Sequence, residues 1–193
     1  MAKEEKNNLL TLPNLLSFFR IILIPVFLFM ILRQEVFNAM VVFLVAGTTD
    51  LLDGFTARIW HQKTRIGALL DPAADKLLAT SAFIVLTFPV LNSPNVIPIW
   101  LTAVVIGRDL FIVGGSIILY ILIRQKKFKP SLLGKASTSC QLTVIFLVLF
   151  FNSMETSPTF LGLVFHVTLI ATILSGIHYT YVGIRMLAIS RQS

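Results

Sequence analysis

Residues Asp50–Asp75 read DLLDGFTARIWHQKTRIGALLDPAAD. The stretch holds Asp50, Asp53, Asp71 and Asp75, four of the five aspartates in the chain, and apolar runs flank it on both sides. Four carboxylates in apolar surroundings need a physical reason. A helix turns about 100° per residue, so Asp50 and Asp53 sit about 60° apart and one turn apart along the axis. Asp71 and Asp75 are about 40° apart and also one turn apart. Each pair shares a helix face, and the short link Ile59–Ile66 makes the two helices antiparallel neighbours whose acidic faces can meet.

One aspartate at a helix centre in lipid costs roughly 2.5–3.5 kcal/mol. Four at close quarters also repel, so some would stay protonated without a counter-charge. Divalent cations remove both difficulties: Mg²⁺ and Mn²⁺ take oxygen ligands, and no Cys or His cluster competes for the role. Four carboxylates suit two ions about 3.5–4 Å apart, an arrangement that serves displacement at phosphorus. Gly54 and Ala57 clear a patch on the acidic face of the first helix, as Gly67 does on the second. Close helix packing is one reason for such residues; room for a flat ligand such as a nucleobase is the other. Arg58 is placed to reach a phosphate from the helix end, or serves only as a topology charge. Pro72 removes a backbone hydrogen bond, which predicts that the second helix is broken near Asp71 or starts there.

The whole chain is 56% hydrophobic and only 13% charged over 193 residues, against roughly 25% charged in soluble domains. It therefore reads as one membrane domain, residues 1–193, without linker, low-complexity tract or repeat. The net charge of +7 lies in short segments between apolar runs, which suits an anionic membrane surface and excludes nucleic acid as the expected partner. A single cysteine, Cys140, rules out an internal disulfide and a thiolate cluster. No signal peptide is read at the N-terminus.

Six apolar segments approach the roughly 20 residues of a spanning helix: Asn14–Leu32, Val36–Trp60, Gly67–Val90, Ile97–Ile123, Leu132–Asn152 and Phe160–Ala188. The expected fold is all-α, a polytopic membrane bundle of six transmembrane helices behind a short N-terminal interfacial segment. Lys and Arg gather before the first helix, between the second and third, between the fourth and fifth, and at the C-terminus. That asymmetry predicts cytoplasmic termini and puts the acidic stretch at the cytoplasmic end. Trp60, Trp100, Tyr179 and Tyr181 are either interface anchors or ordinary packing.

Arg20 lies inside the first segment, at three-residue spacing from Asn14 and Ser17. An arginine there either snorkels to headgroups or faces a carboxylate or phosphate within the bundle, and the second is expected. Arg108-Asp109 lies near the middle of the fourth segment, and Gly134-Lys135-x2-Thr138-x2-Gln141 forms a polar face at the start of the fifth. Arg108 either pairs internally or, with Lys135, binds a phosphate.

The pattern D-x2-D-G-x2-A-R-x8-G-x3-D-x3-D is met by Asp50, Asp53, Gly54, Ala57, Arg58, Gly67, Asp71 and Asp75. It resembles the signature of the CDP-alcohol phosphatidyltransferases, and the resemblance extends to the six-helix layout. It implies transfer of a phosphatidyl group from CDP-diacylglycerol to an alcohol, with release of CMP. By the same resemblance, Asp50, Asp53, Asp71 and Asp75 hold two divalent cations, Mg²⁺ or Mn²⁺, and Asp75 is the catalytic base. Gly54, Ala57 and Gly67 accommodate the cytidine, and Arg58 a phosphate of CDP-diacylglycerol. The family also implies a homodimer. The expected place is the cell membrane, multi-pass among membrane lipids, with the active site facing the cytoplasm.

Leu12-Pro13-Asn14 with Arg20, Leu70–Lys76, Gly107-Arg108-Asp109 and Gly134-Lys135 are similar to the branch whose acceptor is sn-glycerol 3-phosphate and whose product is phosphatidylglycerophosphate. Ser17 and Asp109 depart from that branch, which often has Thr and Glu there. On this reading Asn14, Arg20, Arg108, Lys135 and Thr138 bind the acceptor phosphate; inositol phosphate or serine are the alternative acceptors. A divalent-cation transporter is the reading from another class, and a structural protein with internally paired aspartates a third. His61, His166, His178 and Cys140 read as packing or interfacial residues, and Gly114-Gly115 as a helix contact.

Overall fold

A computed structural model describes residues 12–60, 67–88, 93–123 and 131–190, with side chains described except at 12–14, 16–17, 50–60, 67–72, 120, 122–123 and 189–190. The described residues form six helices: α1 Leu12–Leu32, α2 Val36–Trp60, α3 Gly67–Thr87, α4 Ile99–Ile123, α5 Leu132–Ser153 and α6 Leu161–Ser190. No strand occurs among them. Helices are the expected answer for apolar runs, since each satisfies its own backbone polar groups where no water can.

Most helix ends fall within one to three residues of expectation, and two differences in α3 have a physical reason. α3 stops at Thr87 instead of Val90: Pro89 follows closely, and the residue before a proline is pushed out of the helical region. The expected break at Asp71 does not occur. α3 runs without interruption from Gly67 through Asp71 and Pro72 to Thr87; Pro72, past the first turn, forfeits one backbone bond without ending the helix.

α1 packs on α2 and α3, and α5 packs on α2 and α3, closing a ring of four helices. α4 and α6 pack on each other and close a second ring with α3 and α5, the pair common to both. The interior of the bundle is graded. The continuous apolar core uses Phe27 and Ile31 of α1, Ala39 and Phe43 of α2, Leu78 and Phe83 of α3, and Val144 to Leu149 of α5. These come from the end remote from the aspartates. Towards the aspartate end the buried residues turn polar: Arg20, Thr49, Ser137, Gln141, Thr172 and Ser175. Outward, large apolar side chains are exposed, such as Leu110, Ile121 and Leu163, as a lipid-facing surface requires. Among the described residues, segments of α4, α5 and α6 are long and apolar enough to cross a membrane; Phe18–Leu32 and Val36–Thr49 are shorter apolar helices.

The remote end is closed by backbone hydrogen bonds and amides. Asn152 accepts from the backbone and side-chain nitrogens of Asn95 at 2.9 and 2.8 Å and donates to the Asn95 carbonyl at 2.9 Å. This ties the α3–α4 connection to the end of α5 with few polar groups left over. α1 and α5 terminate alike. Gln34 and Glu155 take positive φ, 62° and 54°, and the next amide reaches back to Met30 and Phe151, at 3.0 Å in both cases. The left-handed conformation costs a residue with a side chain about 1–2 kcal/mol, and glycine is the usual occupant. Gln34→Gly and Glu155→Gly should therefore each stabilise the protein by about 0.5–1 kcal/mol once glycine's chain entropy is deducted. Thermal unfolding in detergent checks this; an unchanged or lowered midpoint in both variants contradicts it.

Candidate active site

α2 and α3 carry the acidic motif. Asp50 and Asp53 fall in the second half of α2, and Asp71 and Asp75 in the first half of α3, so the helix period keeps each pair one turn apart. The side chains of Asp50, Asp53, Ala57, Arg58 and Asp71, and the surroundings of Gly54 and Gly67, lie outside the described residues, as does the side chain of Asn14.

Asp75 is described. Its carboxylate, 43% exposed, pairs with Arg20 of α1, whose side chain is wholly buried. Of the two roles open to Arg20, the structure shows the one inside the bundle, with a carboxylate as partner. A guanidinium among apolar helices requires such a partner, and the contact fastens α1 to α3 at the level of the motif.

A second set of charges follows directly. Lys76 meets the Asp109 carboxylate at 2.8 Å, and the other Asp109 oxygen accepts from Arg108 Nη1 at 2.6 Å. Arg108, 8% exposed, also donates from Nη2 to the Ser175 hydroxyl, and its guanidinium lies 5.7 Å above the Tyr179 ring. The internal pair with Asp109 is thus present. Because Lys76 adjoins Asp75, one line of alternating charge runs from α1 through α3 to α4 and ends on α6. Ser175 and Tyr179 were missed as site residues by sequence reasoning. Their spacing of one helical turn within an apolar segment was the available signal.

α5 departs from its expected polar face. Gly134, Ser137 and Gln141 are buried, whereas Lys135 and Thr138 are exposed. Ser137 bonds Thr172 of α6 at 3.2 Å and receives Gln141 Nε2 at 3.3 Å. The Thr138 hydroxyl donates to the Gly134 carbonyl at 3.1 Å, tying it to its own helix. The helix period explains the difference: positions 134, 137 and 141 make one stripe, and 135 is turned about 100° from 134. Lys135 and Thr138 therefore flank the inward stripe.

No group of three metal-ligating side chains is found among the described residues. The chemistry of the motif still suits a hard divalent cation, since every donor is a carboxylate oxygen. Of the four donors, Asp75 has the Arg20 guanidinium against it. Removing the arginine tests the Arg20–Asp75 pair: Arg20→Gln should lower the thermal midpoint in detergent by the equivalent of about 1–3 kcal/mol, less than for a fully buried pair because Asp75 is part-exposed. Arg20→Lys should recover part of the loss, because it keeps the charge without the planar fork. A midpoint unchanged in Arg20→Gln contradicts the role given to the pair.

Comparison with known proteins adds the class. Residues 10–179 match the family model described as CDP-alcohol phosphatidyltransferase. A CDP-diacylglycerol–glycerol-3-phosphate 3-phosphatidyltransferase of Aquifex aeolicus is 32% identical over 184 residues, covering 92% of this chain and 98% of that protein. The protein of the same name in Escherichia coli K12 is 35% identical over 137 residues, 69% of this chain and 74% of its own. A probable cardiolipin synthase (CMP-forming) of Drosophila melanogaster is 36% identical over 159 residues, 74% of this chain and 48% of that protein. The chain spans about half the length of the animal cardiolipin synthases it matches. With the eight motif residues at their spacing and a model match over most of its length, the chain belongs to the CDP-alcohol phosphatidyltransferase family.

Proposed function

We propose that the chain transfers the phosphatidyl group of CDP-diacylglycerol to sn-glycerol 3-phosphate, releasing CMP and forming phosphatidylglycerophosphate. The observation that carries this reading is the complete aspartate motif on α2 and α3, within a chain matched almost end to end by the Aquifex aeolicus relative. On this reading all six helices span the membrane as one domain, both termini lie in the cytoplasm, and the site opens to the cytoplasmic face of the cell membrane. The distribution of Lys and Arg supports that orientation. The lipid tails then stay in the bilayer while the nucleotide and a polar acceptor come from water. A homodimer is the expected assembly.

Asp50, Asp53, Asp71 and Asp75 would hold two divalent cations, Mg²⁺ or Mn²⁺. When bound, these neutralise the pyrophosphate and stabilise the departing CMP. Gly54, Ala57 and Gly67 leave space for the cytidine, and Arg58 supplies charge for a phosphate. Asp75 takes the proton from the acceptor's hydroxyl, which is a weak nucleophile near neutral pH. The new bond joins that oxygen to the phosphatidyl phosphorus. The bond from phosphorus to the CMP oxygen breaks, and the proton passes from Asp75 to water. Arg108 of α4, Lys135 and Thr138 of α5, and Asn14 and Arg20 of α1 would supply positive and polar groups for the acceptor phosphate.

A second reading has an observation of its own, the 36% identity to a probable cardiolipin synthase (CMP-forming). Making such a product with release of CMP requires phosphatidylglycerol as acceptor, again a glycerol bearing a phosphate. Purified protein in micelles, given CDP-diacylglycerol, Mg²⁺ or Mn²⁺ and radiolabelled glycerol 3-phosphate, should yield labelled lipid and CMP. Asp75→Asn also takes the carboxylate from Arg20 and should lower the thermal midpoint, but the fraction that elutes as folded protein should lose about 10²–10⁴-fold in rate. Product with phosphatidylglycerol alone would transfer the assignment to the second reading. No lipid product under any metal condition, or full activity in Asp75→Asn, contradicts the proposal.

A further inference from the structure

Tyr179 touches two parts of the bundle that are far apart in sequence. Its ring lies 5.7 Å beneath the Arg108 guanidinium of α4. Its hydroxyl accepts from the Ser131 backbone amide at 3.3 Å, and Ser131 is the N-cap of α5, bonded to the Gly134 amide at 3.0 Å. A Cβ on Gly134 would stand 2.9 Å from the Tyr179 hydroxyl oxygen and 3.1 Å from its ring. Glycine at 134 is what lets the tyrosine lie against the first turn of α5.

One turn earlier on α6, Ser175 takes Nη2 of the same arginine. Gly176 between them faces the stem: a Cβ there would meet Arg108 Cγ at 3.8 Å, an ordinary contact. Arg108 is 8% exposed, and its three nitrogens are treated differently. Nη1 goes to Asp109 and Nη2 to Ser175, while Nε has no hydrogen-bond partner among the described residues. An arginine held this firmly with a donor to spare is prepared for an acceptor that it does not yet have. The neighbouring structure suits an anion too: the start of a helix favours negative charge, and Lys135 sits in that first turn.

We propose that Ser175 and Tyr179 are positioning residues that fix Arg108 relative to the N-terminus of α5, and thereby set how tightly the acceptor's phosphate is bound. The proposal rests on the reading above, in which the acceptor is a phosphate-bearing glycerol. The chemistry recognised is a phosphate on glycerol, whether the monoester of soluble glycerol 3-phosphate or the diester of phosphatidylglycerol. α6 then contributes through Arg108 and α5.

The test is steady-state kinetics of the full chain in micelles with either acceptor. Tyr179→Phe keeps the ring and removes the hydroxyl; Ser175→Ala removes the arginine's hydroxyl partner. Each should raise the KM for the productive acceptor about five- to twentyfold, with kcat and the KM for CDP-diacylglycerol changed less than about twofold. Gly134→Ala should raise the acceptor KM as well. In Gly134→Ala/Tyr179→Phe the two effects should combine to less than their product, because the hydroxyl oxygen that the added methyl would strike is gone. Whichever acceptor shows the rise identifies the source of the phosphate. A lowered thermal midpoint with both KM values moving together would mark the residues as merely structural and overturn the proposal. Arg108→Gln separates it from the reading beneath it. If Arg108→Gln leaves the acceptor KM unchanged, the phosphate reading fails and this inference with it. If that KM rises while Ser175→Ala and Tyr179→Phe behave as the parent, the positioning role alone is wrong. Should one α6 variant not survive purification, the other and Gly134→Ala carry the test.

Discussion

A guanidinium surrounded by hydrocarbon is tolerated only beside a carboxylate, and this bundle meets that condition twice. Arg20 is wholly buried and pairs with Asp75. Arg108 is nearly so and pairs with Asp109. Through Lys76, which adjoins Asp75 and bonds Asp109, the two pairs form one charged line across α1, α3, α4 and α6. Apolar packing alone leaves helices in lipid free to slide past one another; a charged contact has one register. The pairs therefore fix the levels at which these helices meet, and the motif aspartates inherit that level.

The bundle is divided by polarity along its axis. Its remote half holds a continuous apolar core, closed by the Asn95–Asn152 amide clasp and by two left-handed helix terminations. Its other half buries hydroxyls, an amide and Arg20, with the Arg108 side chain nearly covered. The first arrangement gives rigidity, and the second gives a medium in which carboxylates can persist. Chemistry on a lipid with a charged headgroup needs both, since the helices must hold position while ionised groups come and go at their ends.

The helices were legible because their lengths and apolar runs follow from backbone physics in lipid; α2 has the bounds that its sequence suggests, Val36–Trp60. The family was legible in the acidic motif, whose residues and spacing lie within the stretch matched by the family model. Pro72 misled, since a helix held by its neighbours can carry a proline past the first turn at the cost of one backbone bond. The polar face of α5 was assigned one step out of phase: several polar residues in succession leave the inward direction undetermined until a neighbour, here Thr172 of α6, picks Ser137. For Ser175 and Tyr179 the one-turn spacing was a weak local sign that named no partner, and the asparagine clasp had none. Their partners lie far along the chain, so only the assembled bundle identifies them.

The central claim is that carboxylates from α2 and α3 hold a pair of divalent ions at the end where Arg20 meets Asp75. Manganese titrated into the detergent-purified protein and followed by electron paramagnetic resonance measures this directly. The account predicts two ions per chain with a spin-coupled signal, and loss of that coupling in Asp75→Asn. Uncoupled manganese alone, or a titration indifferent to Asp75→Asn, would contradict it.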